Sequence, residues 1–295
     1  MPADIKPYLT ERKALVDAFL AHYFAEKKRP EILSEAMSYS LSAGGKRIRP
    51  VLCLAAYEVC GGRAEDIVPY ASAIEMVHTY SLVHDDLPAM DNDDLRRGRP
   101  TNHKVYGDAV AILAGDALLT EAFSILSEPA NGFSADTLLR VVRELALASG
   151  MHGMVAGQVQ DMLSENTEPD PETLRFIHRN KTAALLSASV RGGAILGGAE
   201  KDAFTALSAY GQNIGLAFQV VDDILDIEGE TEVLGKPKGS DEKKNKMTYP
   251  RLYGIEKSRA IADELIAGAV ASLDVFGPEA GPLRGIASYL ISRTH

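Results

Sequence analysis

The chain has 295 residues, a hydrophobic content of 46%, a charged content of 24% and a formal net charge of −10. These values are typical of a globular protein, and the negative charge argues against a nucleic-acid partner, which requires a basic face. The N-terminus lacks a basic segment followed by an apolar one, and the longest apolar runs are interrupted, for example by Asp116. We therefore expect a cytoplasmic protein with neither a signal peptide nor stable membrane insertion.

Apolar residues recur at helical spacing along the whole chain, whereas no run alternates in the way that strands require. Glycine pairs or prolines separate the helical stretches, most clearly at Gly44-Gly45, at Gly61-Gly62 and around Gly150. We predict one all-α domain spanning residues 1–295. Cys53 and Cys60 lie seven residues apart without a third ligand nearby. They are expected to be small buried apolar residues and not metal ligands or a disulfide.

A basic cluster follows the first glycine pair. Lys46, Arg47 and Arg49 come directly after the Gly44-Gly45 turn, and Pro50 suits the first turn of the next helix. Cationic side chains at a helix N-terminus can hold an anion. The alternative is a plain helix–turn–helix link that carries solvated charges.

The helix predicted over 64–87 carries His78, Ser81 and Asp85 on one stripe, because these positions repeat at about 100° per residue. Pro88 ends or bends this helix near Leu87. The carboxylates that follow therefore lie at a helix C-terminus, where the helix dipole disfavours negative charge by up to about 1 kcal/mol. A bound cation would remove that mismatch.

The stretch of residues 84–98 combines five carboxylates with two arginines. Its acidic members are Asp85, Asp86, Asp91, Asp93 and Asp94, and its two adjacent arginines are Arg96 and Arg97. Clustered carboxylates repel one another unless cations lie among them, and oxygen ligands favour Mg²⁺. Paired guanidinium groups suit diphosphate oxygens. The alternative is a solvated acidic loop with a basic turn, which remains our interpretation of Asp93 and Asp94.

A second acidic group lies on the helix predicted over 203–227. Gln219, Asp222, Asp223 and Asp226 form one polar stripe on an otherwise apolar helix, and this stripe must face either water or metal. Upstream, the Lys181-Thr182 pair and the polar positions Gln158 and Asp161 allow no assignment by themselves. Downstream, Lys236 and Lys246 lie in Gly- and Pro-containing basic segments that are typical of phosphate-binding loops, although a solvated surface loop explains each lysine equally well.

Together these features fit a substrate whose diphosphate is bridged by Mg²⁺ between two helices, with a second anion held by arginines. The chain lacks a Gly-rich nucleotide loop, which argues against ordinary kinase chemistry. At this point the sequence resembles the short-chain trans-isoprenyl diphosphate synthases. The resemblance rests on Gly44-Gly45-Lys46-Arg47-Ile48-Arg49-Pro50, on the two acidic motifs and on Arg96-Arg97-Gly98, in the same order over residues 40–250.

The resemblance implies an orthogonal all-α bundle around a central cavity, usually a homodimer, with three Mg²⁺ ions per site and Mn²⁺ as a substitute. The implied metal ligands are Asp85, Asp91 and Asp222, with Asp86, Asp223 and Asp226 as outer or alternate ligands. The implied allylic diphosphate ligands are Arg96, Lys181, Lys236 and Lys246, with Thr182 and Gln219 beside the developing cation. The implied isopentenyl diphosphate ligands are Gly45, Lys46, Arg49, His78 and Arg97.

The implied reaction is head-to-tail condensation of isopentenyl diphosphate with an allylic diphosphate, by ionisation, condensation and proton loss. Tyr80 and Ser81 precede the first motif, where pocket depth sets product length. The bulky Tyr80 and the Leu-Pro-Ala-Met spacer before Asp91 resemble bacterial farnesyl diphosphate synthases. We therefore expect farnesyl diphosphate as the product, with geranylgeranyl diphosphate as the alternative. A terpene cyclase would not need the Lys46, Arg49 and His78 site, and a non-catalytic synthase subunit would be expected to have lost motif carboxylates.

Overall fold

The computed structural model describes residues 4–25, 29–128, 132–228 and 246–291. Almost all of its regular structure is helical, as the periodicity predicts. The first helices are α1 (Lys6–Tyr23), α2 (Glu31–Leu41), α3 (Ile48–Val59), α4 (Val68–Asp85), α5 (Asn102–Tyr106) and α6 (Asp108–Ser127). Next come α7 (Ala135–Ser149), α8 (Met154–Leu163), α9 (Pro171–Ile177), α10 (Ala184–Leu196) and α11 (Lys201–Glu228). The last are α12 (Tyr249–Tyr253), α13 (Ile255–Ser272) and α14 (Gly281–Ile291), and 3-10 turns occur at Ala64–Ile67 and Pro278–Ala280.

Most predicted boundaries are confirmed to within a few residues. The break near Gly150 separates α7 from α8, and α4 ends three residues before Pro88. Side chains cap several helices: Ser134 accepts a hydrogen bond from the Thr137 backbone N–H, and Asp170 does so from Thr173. Both cysteines are free thiols. Cys53 is buried as predicted, whereas Cys60 is only partly buried.

The prediction that the chain contains no strand was wrong at one place. Strands β1 (Leu95–Arg96) and β2 (Arg99–Pro100) pair antiparallel in a hairpin immediately after the first acidic motif. The two loop residues, Arg97 and Gly98, have φ values of 53° and 75°, the positive values that a type I′ hairpin turn requires. Strands of two residues are too short to produce an alternating pattern, so periodicity alone misses them.

Helices α4 and α11 carry the two acidic motifs and lie deep in the bundle. On α4, Ala71, Met76 and Val77 are fully buried in the cluster that also contains α6 residues. On α11, Ile214 and Ala217 are fully buried against α3, α10 and the C-terminal helices. Because both helices are fixed by apolar packing, their acidic ends are held on rigid elements.

Helix α6 has the length and composition of a membrane-crossing helix, although we expected Asp116 to exclude one. Among the described residues it is the one helix that meets this test, which is weak evidence because core helices of soluble proteins also meet it. Ala111, Ala114 and Leu118 on one side of α6 are fully buried in the α4 cluster. Ile112 and Leu113 on its other side are 44% and 58% exposed.

Candidate active site

The first acidic motif begins at the last residue of α4. Asp85 ends the helix, and the chain turns back so that the Asp91 backbone N–H donates to the Asp85 carbonyl oxygen over 2.8 Å. Burial, together with the negative charge of Asp91, raises the pKa of Asp85 to about 6 although Lys181, Arg96 and Lys246 act to lower it. The structure therefore holds Asp85 where its charge lacks full compensation.

The second carboxylate of the motif has a different environment. Asp86 is 3% exposed, and both of its oxygens accept hydrogen bonds from Arg96, at 2.8 and 2.9 Å from Nε and at 2.6 Å from Nη2. This bidentate pair fixes the hairpin onto α4. Its contacts make Asp86 an anchor for Arg96, which argues against the expected role as an alternate metal ligand.

The predicted isopentenyl diphosphate residues come together beside the hairpin. The Arg97 guanidinium donates to the Gly44 carbonyl oxygen and lies against Gly45, where a Cβ would fall 2.6 Å from it. Burial, followed by the charges of Arg49 and Arg97, holds the pKa of His78 well below its ordinary value. A neutral imidazole therefore borders an arginine cluster.

Arg49 adds an unsatisfied donor to that cluster. It lies in the first turn of α3, is 9% exposed, and its Nε is buried without a hydrogen-bond partner in the part of the chain that the structure describes. The pKa of Arg49 is lowered overall, mainly by burial. Glu75 and Asp222 act to raise this pKa, and the charge of Arg97 acts to lower it further. An anion bound here would satisfy the donor and reduce the repulsion.

The side of the site opposite the first acidic motif contains a π-helical turn, His178–Ala183, between α9 and α10. Turns of this kind are frequent at functional sites. This turn contains Lys181 and Thr182, and the Thr182 hydroxyl lies 2.6 Å from Gln219 Oε1 on α11. The structure thus brings Thr182 against Gln219, with Lys181 next to Thr182 in the same turn.

The second acidic motif also divides by environment. Gln219 Nε2 donates to Asp223 Oδ1 over 2.8 Å, and the Tyr249 backbone N–H donates to Asp223 Oδ2 over 3.0 Å. Asp223 and Asp226 are each 2% exposed, whereas Asp222 is partly exposed and lies within the electrostatic range of Arg49. Asp222 fits its predicted metal role, while the contacts of Asp223 make it a residue that orients Gln219 and α12.

Sequence reasoning assigned no role to Asp161, yet this residue connects the two sides of the site. Asp161 is 6% exposed on α8, and its Oδ2 lies 2.6 Å from Lys181 Nζ and 3.8 Å from Lys246 Nζ. Lys246 Nζ is also 3.6 Å from Asp91 Oδ1. In the sequence, the one hint of this contact was a glycine, Gly157, one turn before Asp161. In the structure any Cβ at Gly157 would collide with the backbone of Lys181.

The two chain-length candidates lie on α4 before the first motif. Tyr80 is 6% exposed, and its ring meets the His84 ring edge-on at 5.6 Å. Burial and the charge of Asp85 raise the pKa of Tyr80 to about 12. The Ser81 hydroxyl donates to the His78 carbonyl oxygen over 2.8 Å. Tyr80 therefore lies under the acidic motif, and Ser81 is turned back on its own helix. Lys236 lies outside the described residues.

The donor set is suited to a hard divalent ion. Asp85, Asp91 and Asp222 provide oxygen ligands, and the raised pKa of Asp85 indicates a carboxylate that a cation would stabilise. Among the described residues no three His, Cys, Asp or Glu side chains form a ready metal site. Substrate oxygens would have to complete the coordination, which is typical of Mg²⁺ with a diphosphate.

Comparisons with known proteins agree with this geometry. The polyprenyl synthetase family model matches residues 30–273. The chain is 50% identical to a dimethylallyltranstransferase of Fischerella ambigua, over 99% of this chain and 84% of that protein. It is also 50% identical to a chloroplastic geranylgeranyl pyrophosphate synthase of Catharanthus roseus, over 98% of this chain and 82% of that protein.

Solved structures extend the agreement to the whole fold. An FPP/GFPP synthase of Zymomonas mobilis superposes with a TM-score of 0.88 at 40% identity, covering 99% of this chain and 100% of that one. A geranylgeranyl pyrophosphate synthetase of Pyrococcus horikoshii gives a TM-score of 0.87 at 31% identity, covering 97% and 98%. The all-α isoprenoid synthase fold predicted from the sequence is therefore confirmed, and the chain belongs to the polyprenyl synthetase family of trans-prenyltransferases.

Proposed function

We propose that this protein condenses isopentenyl diphosphate with allylic diphosphates and that geranylgeranyl diphosphate is its main product. The main support for a condensation reaction is the presence of two separate cationic groups, one on either side of the first acidic motif. Arg49 and Arg97 lie beside His78, whereas Lys181 and Lys246 lie beside Asp91 and Asp161. A condensing enzyme needs two diphosphate sites, whereas a terpene cyclase needs one.

In the proposed reaction, Arg96, Lys181 and Lys246 bind the allylic diphosphate and stabilise its charge as the allylic C–O bond breaks. The diphosphate leaves with the electron pair. When bound, Mg²⁺ held by Asp85, Asp91 and Asp222 supplies further electrostatic stabilisation of this leaving group. We place the Thr182 hydroxyl and the Gln219 side chain, which are 2.6 Å apart, beside the developing carbocation.

The second substrate completes the reaction. Arg49, Lys46 and Arg97 hold isopentenyl diphosphate so that its double bond attacks the carbocation, forming the new C–C bond. A proton then leaves the adjacent carbon for an oxygen of the released diphosphate, which restores the alkene. The low pKa of His78 keeps its imidazole neutral beside the arginines.

Two observations favour different product lengths. The relatives from Catharanthus roseus, Capsicum annuum and Cyanophora paradoxa, at 46–50% identity, are all called geranylgeranyl synthases, which supports the longer product. The buried Tyr80 ring under the acidic motif supports the second candidate, farnesyl diphosphate, because a bulky ring shortens the pocket. We propose the geranylgeranyl product because sequence identity to these relatives extends over nearly the whole chain.

Product analysis tests the proposal. The enzyme is incubated with Mg²⁺, labelled isopentenyl diphosphate in excess and, in separate reactions, dimethylallyl, geranyl or farnesyl diphosphate, and the products are measured by chromatography and mass. A C20 product from all three supports the proposal, whereas accumulation of a C15 product supports the second candidate. Cyclised product without incorporated label identifies a cyclase. An Asp85→Ala variant is the inactive control.

We also propose a homodimer that forms through α6. Ile112 and Leu113 are exposed on this helix although its other side is packed in the core, and a second copy of the chain would cover them. Light scattering on Leu113→Arg should give half the wild-type mass. Val275→Arg, at a residue that is 65% exposed elsewhere, is the matched control and should leave the mass unchanged.

A further inference from the structure

Arg47 lies in the chain between Lys46 and Arg49, two proposed ligands of isopentenyl diphosphate, and its own guanidinium donates to protein acceptors. Its backbone has a φ of 51°, in the left-handed region, and its side chain is buried, whereas Lys46 is exposed. A non-glycine residue in this conformation requires compensation from its surroundings. The contacts of the Arg47 guanidinium provide that compensation.

Three separate elements accept hydrogen bonds from this one side chain. Arg47 Nε donates to Asp17 Oδ1 on α1 over 2.8 Å, Nη1 donates to Glu75 Oε1 on α4 over 2.8 Å, and Nη2 donates to the Leu41 carbonyl oxygen at the end of α2 over 2.5 Å. Asp17 and Glu75 outweigh the effect of burial and raise the pKa of Arg47. The loop that carries Lys46 and Arg49 is therefore tied to three helices.

Glu75 is the second part of the same device. It is 2% exposed and lies on α4 three residues before His78, so the two side chains share one side of the helix. Its charge acts on Arg49 and Arg97 as well as on Arg47, in each case favouring the charged guanidinium. Without it, three neighbouring guanidinium groups would repel one another in a buried site.

We propose that Arg47 and Glu75 are positioning residues that hold Arg49 and Arg97 in place for isopentenyl diphosphate. The inference rests on the proposed condensation. A buried carboxylate would repel a diphosphate, and the donors of Arg47 are engaged with protein acceptors, so neither residue is a direct ligand. The allylic diphosphate site, built on Lys181 and Asp161, does not depend on them.

Steady-state kinetics with each substrate varied in turn tests this inference. Glu75→Gln preserves the shape and removes the charge, and we expect the KM for isopentenyl diphosphate to rise about tenfold, the effect of losing one charge-supported contact. The KM for the allylic diphosphate should change less than about twofold. A merely structural role would lower kcat, whichever substrate is varied, and would leave both KM values unchanged. That result would overturn the proposal.

The matched control is Glu58→Gln on α3. Glu58 accepts hydrogen bonds from Arg12 and Tyr8, so it also belongs to a partly buried ion-pair network, but this network lies at the other end of α3. Both KM values should stay at the wild-type level. If Glu75→Gln does not fold, Asp17→Asn replaces it. Asp17 is 35% exposed, and this substitution removes one charged partner of Arg47. An unchanged KM for isopentenyl diphosphate in that variant refutes the inference.

These results are distinguishable from a failure of the proposed function. Wild-type enzyme that incorporates no isopentenyl diphosphate contradicts the condensation itself. Wild-type enzyme that condenses normally, together with a Glu75→Gln variant of unchanged KM, contradicts only the positioning role.

Discussion

Replacement of Asp85 by Asn tests whether the buried charge of Asp85 destabilises the folded protein and whether bound ligands offset that destabilisation. Asp85 is an acid whose pKa in the folded protein, about 6, lies above its ordinary value of 3.8. Between these values the folded protein keeps a proton that the unfolded chain releases. The cost of ionising Asp85 in the folded state is therefore absent below about pH 4 and fully present above about pH 6.

The magnitude follows from the size of the shift. A pKa difference of about two units corresponds to about 3 kcal/mol at pH 8, as an upper value. Asn resembles the protonated carboxyl group but cannot ionise. The Asp85→Asn variant should thus be more stable than wild type at pH 8 by up to about 3 kcal/mol, and the gap should shrink to roughly half at pH 5.

Urea unfolding in the presence of a chelator measures this difference. The exposed Asp263 on α13 provides the control variant, Asp263→Asn, which should match wild type at both pH values. Addition of Mg²⁺ with inorganic diphosphate should stabilise wild type and leave Asp85→Asn nearly unchanged, because the variant lacks the ligand. An Asp85→Asn variant that is less stable than wild type at pH 8, or equally favoured at pH 5 and pH 8, would refute the reasoning.

Three further substitutions probe the surrounding side chains. Tyr80→Ala should lengthen the product, because the buried ring no longer closes the pocket; an unchanged chain-length distribution under excess isopentenyl diphosphate counts against this. Asp161→Asn should raise the KM for the allylic diphosphate about tenfold, since Lys181 loses its 2.6 Å partner, while the KM for isopentenyl diphosphate should stay constant. Gly45→Ala should abolish saturation by isopentenyl diphosphate, because the new Cβ would lie 2.6 Å from the Arg97 guanidinium at a φ of +122°; normal kinetics would contradict this packing.

The sequence was sufficient to predict the two helices that carry the acidic motifs. Apolar residues recur often along α4 and α11, so their helical spacing predicts both helices. The same spacing also identifies the stripe of polar residues on each helix. Only the family resemblance placed Thr182 and Gln219 together, beside the developing cation, because their contact depends on the packing of the π-turn against α11. Periodicity contains no information about that packing.

Residues that act through charge pairing were harder to assign. Asp86 and Asp223 resemble metal ligands in sequence because they adjoin Asp85 and Asp222. Only the folded chain reveals that Arg96 occupies one of them and that Gln219 and a backbone N–H occupy the other. Asp161 has no lysine or arginine near it in the sequence, and its two lysines approach it from the π-turn and from the segment before α12. Such pairs are non-local, so spacing cannot predict them.

The different partners of the carboxylates explain how one buried site accommodates so much charge. Asp86, Asp161 and Asp223 have cationic or amide partners in the protein, and they fix the groups that bind substrate. Burial raises the pKa of both Asp85 and Asp86, but Asp86 is paired with Arg96, so the uncompensated charge lies mainly at Asp85. Binding of a metal with its diphosphate would therefore act mainly on Asp85 and its neighbours, while the paired carboxylates keep the arginines and lysines in place. The protein orients its cations with Asp86, Asp161 and Asp223, and we expect the ligand to act mainly on Asp85.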